Sequence, residues 1–136
     1  MFFASSLLMA LSLFAIYNPT AADPGISKDR IKVFLFASPA FWGEVAIDAY
    51  KNQCIDLDNN LIDGSVQSIL IGAHDIPTVM KRTDDWYCMF YDNYDCTGNE
   101  EDMLVFAAGV NNLRSVRWET KIHALKCIIE NDDYDD

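Results

Sequence analysis

From residue 31 onward, apolar positions occur in short continuous or alternating runs that are separated by Pro, Gly, Asn and Asp. Runs of this kind, bounded by turn residues, are typical of β-strands, whereas the periodicity of about 3.6 residues that marks an amphipathic helix is scarce. Six segments are predicted as strands: 31–36, 44–50, 68–72, 86–91, 102–108 and 123–129. This spacing predicts an antiparallel sandwich or barrel without long helices.

The two halves of the chain repeat one another. Residues 33–43 align with residues 88–98 at an offset of 55, and residues 57–71 align with residues 113–127 at an offset of 56. One inserted residue reconciles the two offsets, and each half then contains a hairpin, a strand with leucine, an acidic turn and a last strand. The predicted domain, residues 23–129, comprises copy one at about 30–72, a linker at 73–85 and copy two at about 86–129.

Each copy carries an aromatic residue, a bulky residue and a glycine at the same spacing around its hairpin. The matching positions are Phe36, Phe41 and Gly43 in copy one and Tyr91, Cys96 and Gly98 in copy two. A hairpin that folds back over its own sheet needs a residue that tolerates positive φ without a Cβ, which glycine does at little cost. The aromatic side chain then packs beneath the folded hairpin.

This pattern, followed by an acidic turn and a serine, resembles the Greek-key motif of the βγ-crystallin superfamily. The residues that match are Phe36, Phe41, Gly43 and Ser68 in the first copy and Tyr91 and Gly98 in the second. The cysteine arrangement is similar to that of small secreted fungal members. The resemblance implies an all-β fold in which two Greek-key motifs form one disulfide-bonded sandwich.

Residues 1–22 have the pattern of a secretory signal peptide. An apolar stretch from Leu7 to Tyr17 precedes Asn18, Pro19 and small residues that end at Ala22. The stretch is shorter than the roughly 20 apolar residues that a membrane-spanning helix requires. We therefore expect cleavage near Ala22, a secreted extracellular protein and no membrane span. A retained anchor is the alternative, because no Lys or Arg precedes the apolar stretch.

The formal net charge of −11 argues against binding to nucleic acid or to anionic membranes, which would repel the protein. It favours solubility and basic partners. Acidic residues dominate 130–136, and a segment with so many like charges is predicted to be a disordered acidic tail.

The four cysteines all follow the signal segment, and an even number in an oxidising compartment predicts two disulfides. Zinc sites favour paired CxxC or CxxH spacings, which do not occur here. Three pairings are possible. The folded hairpin that the resemblance implies favours Cys88 with Cys96 and Cys54 with Cys127, and the other two pairings stay open.

Calcium-binding members of the superfamily carry the pattern [ND]-[ND]-x-x-[ST]-S in each copy. The aligned stretches here are DGSVQS at 63–68 and ETKIHA at 119–124. Asp63, Gln67 and Glu119 are the remaining, weak calcium candidates, since a histidine and an alanine stand where copy two needs hydroxyls. Calcium prefers six to eight oxygen ligands, so we expect no cofactor, with calcium as the alternative.

The chain has only two histidines, His74 and His123, and no catalytic motif stands out. We expect a non-enzymatic, monomeric, secreted interaction protein with an unidentified protein or cell-surface partner, and the fungal resemblance implies an effector- or toxin-like role. One alternative is a secreted protease inhibitor that presents residues 73–85 as an extended exposed loop. Another is a degenerate calcium-binding structural module. Trp42, Trp86 and Trp118 are expected in the core rather than in a contact patch.

Overall fold

The computed structural model describes residues 24–130. They form eight strands, one short helix and two 3-10 turns. The strands are β1 (Arg30–Ser38), β2 (Trp42–Tyr50), β3 (Ile55–Asp56), β4 (Ser68–Ile71), β5 (Trp86–Tyr91), β6 (Met103–Phe106), β7 (Gly109–Val110) and β8 (Ala124–Ile129). The helix is α1 (Ile76–Met80), and the 3-10 turns are Glu100–Asp102 and Leu113–Val116. The predicted signal peptide, residues 1–22, lies outside the described residues, as do residues 131–136 of the predicted tail.

The strands form two antiparallel four-stranded sheets. The first sheet has the order β2-β1-β4-β7 and the second β3-β8-β5-β6. Each half of the chain therefore contributes three strands to its own sheet and its short third strand to the other sheet. This exchange makes the halves interdependent, and it confirms the predicted all-β sandwich of two Greek-key motifs.

Equivalent residues of the two copies occupy equivalent places in the two sheets. Val33 pairs with Ile71 between β1 and β4, and Cys88 pairs with Cys127 between β5 and β8. These pairs are related by the sequence offsets of 55 and 56. Backbone contacts between the copies are duplicated in the same way: Leu57 N donates to His123 O at 2.9 Å, and Leu113 N donates to Gln67 O at 2.8 Å. The two halves are therefore related by an approximate twofold arrangement.

The main core lies between the sheets, and a smaller cluster lies on the outer face of the first sheet. Strand β1 serves both, because Ile31, Val33 and Leu35 face the main core while Phe34 and Phe36 belong to the outer cluster. The main core also receives Leu57, Ile69, Ile71, Phe90, Leu113, Ile122 and Leu125, all almost fully buried. Burial on both faces explains why the sequence of β1 is continuously apolar rather than alternating.

The linker is not the extended loop that the inhibitor hypothesis requires. Asp75 caps α1 by accepting hydrogen bonds from the Thr78 backbone N at 2.8 Å and from its hydroxyl at 2.6 Å. Pro77 stands near the start of the helix, where its missing N–H has no cost. Val79 is buried in the outer cluster, and its burial there holds the segment in a helical turn.

Arg82 fastens the linker to both copies. Its guanidinium donates to Ile71 O at 3.0 Å, to Trp86 O at 3.1 Å and to Ala107 O. It also forms a two-point contact with the carboxylate of Asp84. Only about a tenth of the Arg82 side chain is exposed, with a relative area of 10%. One side chain thus joins the end of β4 to the segment after β6.

Candidate functional site

The hairpin of copy one folds back over the first sheet through left-handed residues. Phe41 has φ +66° and Gly43 has φ +77°, and an added Cβ at Gly43 would lie 3.2 Å from the Ala37 Cβ. Phe36 and Phe41 pack edge to face, with ring centroids 5.3 Å apart. Ser68 closes the hairpin, because its hydroxyl donates to Ser38 O at 2.7 Å and accepts from Phe41 N at 3.2 Å.

The hairpin of copy two has the same backbone form but different chemistry. Cys96 has φ +53° and Gly98 has φ +131°, at the positions that Phe41 and Gly43 occupy in copy one. Tyr91 is buried, as is Phe36. Ala124 stands where Ser68 closes the first hairpin, so that bond cannot form. The side chain of Asn93 braces the loop instead, donating to Thr97 O at 2.7 Å and accepting from Asp95 N at 3.1 Å.

The disulfides pair differently from the favoured prediction. Cys54 is bonded to Cys96, and Cys88 is bonded to Cys127. The pairing of Cys88 with Cys96 is wrong because Cys88 points into the core from β5, directly opposite Cys127 on β8 with a Cα separation of 4.0 Å. Cys96 lies at the hairpin surface, where the short third strand of copy one brings Cys54 from the other half.

The two disulfides have different surroundings. Cys88 and Cys127 are both fully buried and take the place of the Val33–Ile71 contact in copy one. Cys54 is exposed, and its bond ties the crossing strand of copy one to the hairpin of copy two. The buried disulfide therefore fixes a contact that copy one makes by packing alone. The Cys54–Cys96 disulfide fixes a contact between the copies that has no counterpart bond.

Beside the outer disulfide, three side chains from different segments meet where the copies join. Asp63 Oδ1 lies 2.6 Å from His123 Nδ1, and the Tyr94 hydroxyl donates to Asp63 Oδ2 at 2.6 Å. The rings of Tyr94 and His123 are 4.9 Å apart. We call this group the junction triad. Asp63 comes from the acidic turn of copy one, while Tyr94 and His123 come from the hairpin and the turn of copy two.

The triad polarises its own members. Burial of Asp63 would raise the pKa of its carboxyl, but the hydrogen bond from Tyr94 and the contact with His123 together hold that pKa below its ordinary value. The same hydrogen bond to Asp63 raises the pKa of Tyr94 to about 12, with a smaller contribution from burial and nearby acidic groups. Asp63 is therefore a carboxylate at neutral pH, and both of its oxygens are engaged by this chain.

The second calcium-candidate position, in copy two, is different. Glu119 is the counterpart of Asp63, and Gln67 is the counterpart of His123. The Oε2 atom of Glu119 is buried without a hydrogen-bond partner in the described part of the chain. The backbone hydrogen bonds of the two positions are nevertheless equivalent. Thr120 N donates to Val66 O at 3.3 Å, and Gly64 N donates to Ile122 O at 3.4 Å.

These residues do not fit a pair of calcium sites. Calcium requires six to eight oxygen ligands, and Asp63, the best candidate, is already bonded to Tyr94 and His123. A histidine nitrogen occupies the place where the pattern calls for a hydroxyl oxygen. Among residues 24–130, no group of three or more His, Cys, Asp or Glu side chains is placed to hold a metal ion.

Solved structures with the same architecture are βγ-crystallin domains. One, from work on the evolution of the eye lens βγ-crystallin domain fold, has a TM-score of 0.53 at 13% identity, covering 82% of this chain and 94% of that chain. The N-terminal domain of protein S has a TM-score of 0.51 at 13% identity, covering 73% and 97%. A βγ-crystallin domain from Flavobacterium johnsoniae has a TM-score of 0.51 at 14% identity, covering 73% and 96%.

The chain has the βγ-crystallin fold. The sequence itself matches no protein-family model and no curated protein. At such low identity the likeness to solved structures shows the fold alone.

Other residues singled out from the sequence have structural places in this fold. The His74 ring lies 3.9 Å from Glu44 and is largely exposed. Trp86 is buried in the core and Trp118 packs against it, but Trp42 is 74% exposed, so its prediction as a core residue was wrong. Tyr94 and Arg82 were missed. Tyr94 gave only a hairpin-tip signal, and Arg82 gave none.

The junction triad predicts a specific loss of stability in acid. Asp63→Asn should lower the free energy of unfolding at about pH 7 by roughly 1.5–3 kcal/mol, the usual contribution of hydrogen bonds to a charged group. Because the folded pKa of Asp63 is depressed, its contribution is present above the unfolded pKa and disappears as pH falls below about 4. The gap between wild type and Asp63→Asn, measured by urea unfolding, should therefore close at low pH.

Asp92→Asn supplies the matched control, since Asp92 is an exposed carboxylate on the hairpin that carries Tyr94. It should change stability little at any pH. A gap for Asp63→Asn that stays constant from neutral to acid pH would show that the Asp63 charge does not stabilise the fold.

Proposed function

We propose that the protein is a secreted, non-enzymatic interaction protein whose βγ-crystallin fold stands without calcium. The observation that carries this proposal is the contact between Asp63 and His123. It uses side chains of the chain itself at the place where calcium-binding members present oxygen ligands. A scaffold closed in this way holds its loops in place in any calcium concentration.

Secretion is supported by two features. The segment up to Ala22 has the composition of a signal peptide, and all four cysteines are joined in disulfides, which persist in oxidising compartments. Within residues 24–130, no helix has the length and apolar character needed to cross a membrane.

Interaction rather than catalysis is supported by how the reactive side chains are used. The cysteines are oxidised, and His123 and Asp63 are bonded to each other. Several large apolar side chains are instead presented to solvent: Trp42, Tyr50, Leu61, Ile76, Met80, Val105 and Val116. Where such side chains adjoin one another, they are typical of contact surfaces. The effector- or toxin-like role rests on the resemblance to secreted fungal proteins.

The protease-inhibitor alternative is less well supported. Residues 73–85 include α1, and Val79 is anchored in the outer cluster, so the segment does not offer an extended strand to a protease. A panel of serine, cysteine, aspartic and metalloproteases tests it directly, and we expect no inhibition.

Calcium independence is the directly measurable part of the proposal. We expect the melting temperature of the purified protein to be the same in excess calcium and in EDTA, because ligand binding to the folded state alone would raise it. Calorimetric titration with calcium should show no binding heat. A calcium-dependent rise in melting temperature that Glu119→Gln abolishes would contradict the proposal and would place calcium at the unpaired Glu119 oxygen.

A further inference from the structure

A shallow groove runs between the linker and the end of β6. Two adjoining concavities, of about 350 and 230 Å³, share Asp84, Trp86 and Ala107 in their walls. One continues toward Asp85, Val105 and Glu130, and the other toward Met80. We call this continuous surface the linker groove. It lies away from the junction triad, at the opposite ends of β5 and β8.

The groove crosses the outer face of the second sheet rather than the free edge of β6. Its walls come from the end of β6, from the start of β5 and from Glu130 just after β8, and β5 lies between the other two strands. Val105 on β6 is 49% exposed while Leu104 and Phe106 pack against the core.

The groove combines apolar contact points with negative charge. Met80 at the end of α1 is 74% exposed and gives a second apolar point, in the adjoining concavity. Asp85 and Glu130 are exposed at the groove, and Glu130 N donates to Asp85 O at 2.9 Å. The chain continues from Glu130 into a segment that contains Asp132, Asp133, Asp135 and Asp136.

The positive charge at the groove is already committed. Arg82 is the one basic residue among those that line it, and its guanidinium is bonded to Asp84 and to three backbone carbonyls. Asp85 and Glu130, by contrast, belong to no ion pair found among residues 24–130. The uncompensated charge at the groove is therefore negative, and a cationic ligand is the complementary one.

We propose that the linker groove binds an extended basic peptide segment of a partner protein. The segment crosses the outer face of the second sheet at this end, places apolar side chains on Met80 and Val105, and directs Lys or Arg side chains toward Asp85 and Glu130. This inference rests on the proposed interaction role and names the face and the partner chemistry that the role would use.

The test uses two labelled peptides, acetyl-KVKVKVK-amide and acetyl-EVEVEVE-amide, with fluorescence polarisation as the readout. We expect the protein to bind the basic peptide and not the acidic one, with an affinity that falls as salt is added. Substitution of Asp85→Lys together with Glu130→Lys should weaken binding of the basic peptide at least tenfold. Val105→Ser should weaken it as well by removing an apolar contact without adding charge, and amide chemical shifts should change at the residues that line the groove.

The matched control is Asp58→Lys together with Asp92→Lys. These two exposed carboxylates lie at the other end of the molecule, and their substitution changes the net charge by the same amount. Binding of the basic peptide should fall less than threefold in the control. An equal loss in both double variants, binding of the acidic peptide, or no binding of the basic peptide would overturn the groove proposal. A fold that requires calcium would instead overturn the proposed function, whatever the peptides do.

Discussion

Replacing Cys88 and Cys127 together with serine is expected to lower the free energy of unfolding by about 5 kcal/mol or more. The cross-link spans 39 residues, and constraining a loop of that size in the unfolded chain contributes about 4 kcal/mol. Both positions are fully buried, so each serine also brings a hydroxyl into the core, at a cost of about 1–3 kcal/mol where it finds no partner. Urea unfolding monitored by tryptophan fluorescence measures the loss.

Copy one supplies the matched control for this prediction. Val33 and Ile71 occupy the equivalent positions there, so Cys88→Val with Cys127→Ile should restore an apolar contact without the cross-link. We expect the free energy of unfolding of this variant to exceed that of the serine variant by at least about 2 kcal/mol, since it buries no hydroxyls. Equal stabilities for the two variants would contradict the equivalence of the two strand pairs.

Replacing Arg82 with alanine is expected to cost about 3–5 kcal/mol, the range for removing one partner from a buried charged contact. Asp84 would lose the hydrogen bond from Arg82 that holds the pKa of its carboxyl below the ordinary value. The carbonyls of Ile71, Trp86 and Ala107 would lose a donor at the same time. Denaturant unfolding measures the loss of unfolding free energy. Proteolytic cleavage within residues 73–85 should also become faster, because the linker is no longer held to the sheets.

Arg82→Lys should recover only part of this stability, because an ammonium cannot donate in the planar, forked geometry of a guanidinium. Arg114→Ala is the control, since Arg114 is exposed on the 3-10 turn of copy two. It should change stability by less than about 0.5 kcal/mol. Equal effects at Arg82 and Arg114 would show that Arg82 does not fasten the linker.

The fold was predictable where the signal is local. Six strands were predicted from short apolar runs, and the offsets of the repeat matched the pairing of β1 with β4 and of β5 with β8. Strands β3 and β7 have only two residues each, which is too short for a periodic pattern in the sequence. They form because each pairs with a strand of the opposite sheet. A strand that contains leucine was expected in each copy, but β3 ends just before Leu57 and Leu113 begins a 3-10 turn.

The disulfide pairing shows where sequence reasoning stopped short. Cys88 and Cys127 align with Val33 and Ile71, the first and last strands of copy one, which a Greek key places side by side. The repeat therefore contained the signal for the Cys88–Cys127 pair. The position of Cys96 in the folded hairpin instead favoured the prediction of a bond between Cys88 and Cys96. A bond within the hairpin does not form, because Cys88 faces the core opposite Cys127 while Cys96 is half-buried and bonded to Cys54.

The junction triad could be predicted only in part. His123 was recognised as standing at a hydroxyl position of the calcium pattern, and Asp63 as an acidic position. Their contact, 60 residues apart in sequence, arises because the approximate twofold arrangement brings the turn of one copy to the turn of the other. Tyr94 joins them from a hairpin whose sequence indicated only a loop.

The most direct test of a calcium-independent junction is a double-mutant cycle between Asp63 and His123. Unfolding free energies of wild type, Asp63→Asn, His123→Gln and the double variant, each measured in EDTA and in excess calcium, give the coupling between the two side chains. We predict a coupling of about 1–3 kcal/mol that is the same in both solutions. A coupling near zero in EDTA, or a wild-type stability that rises with calcium, would contradict the account.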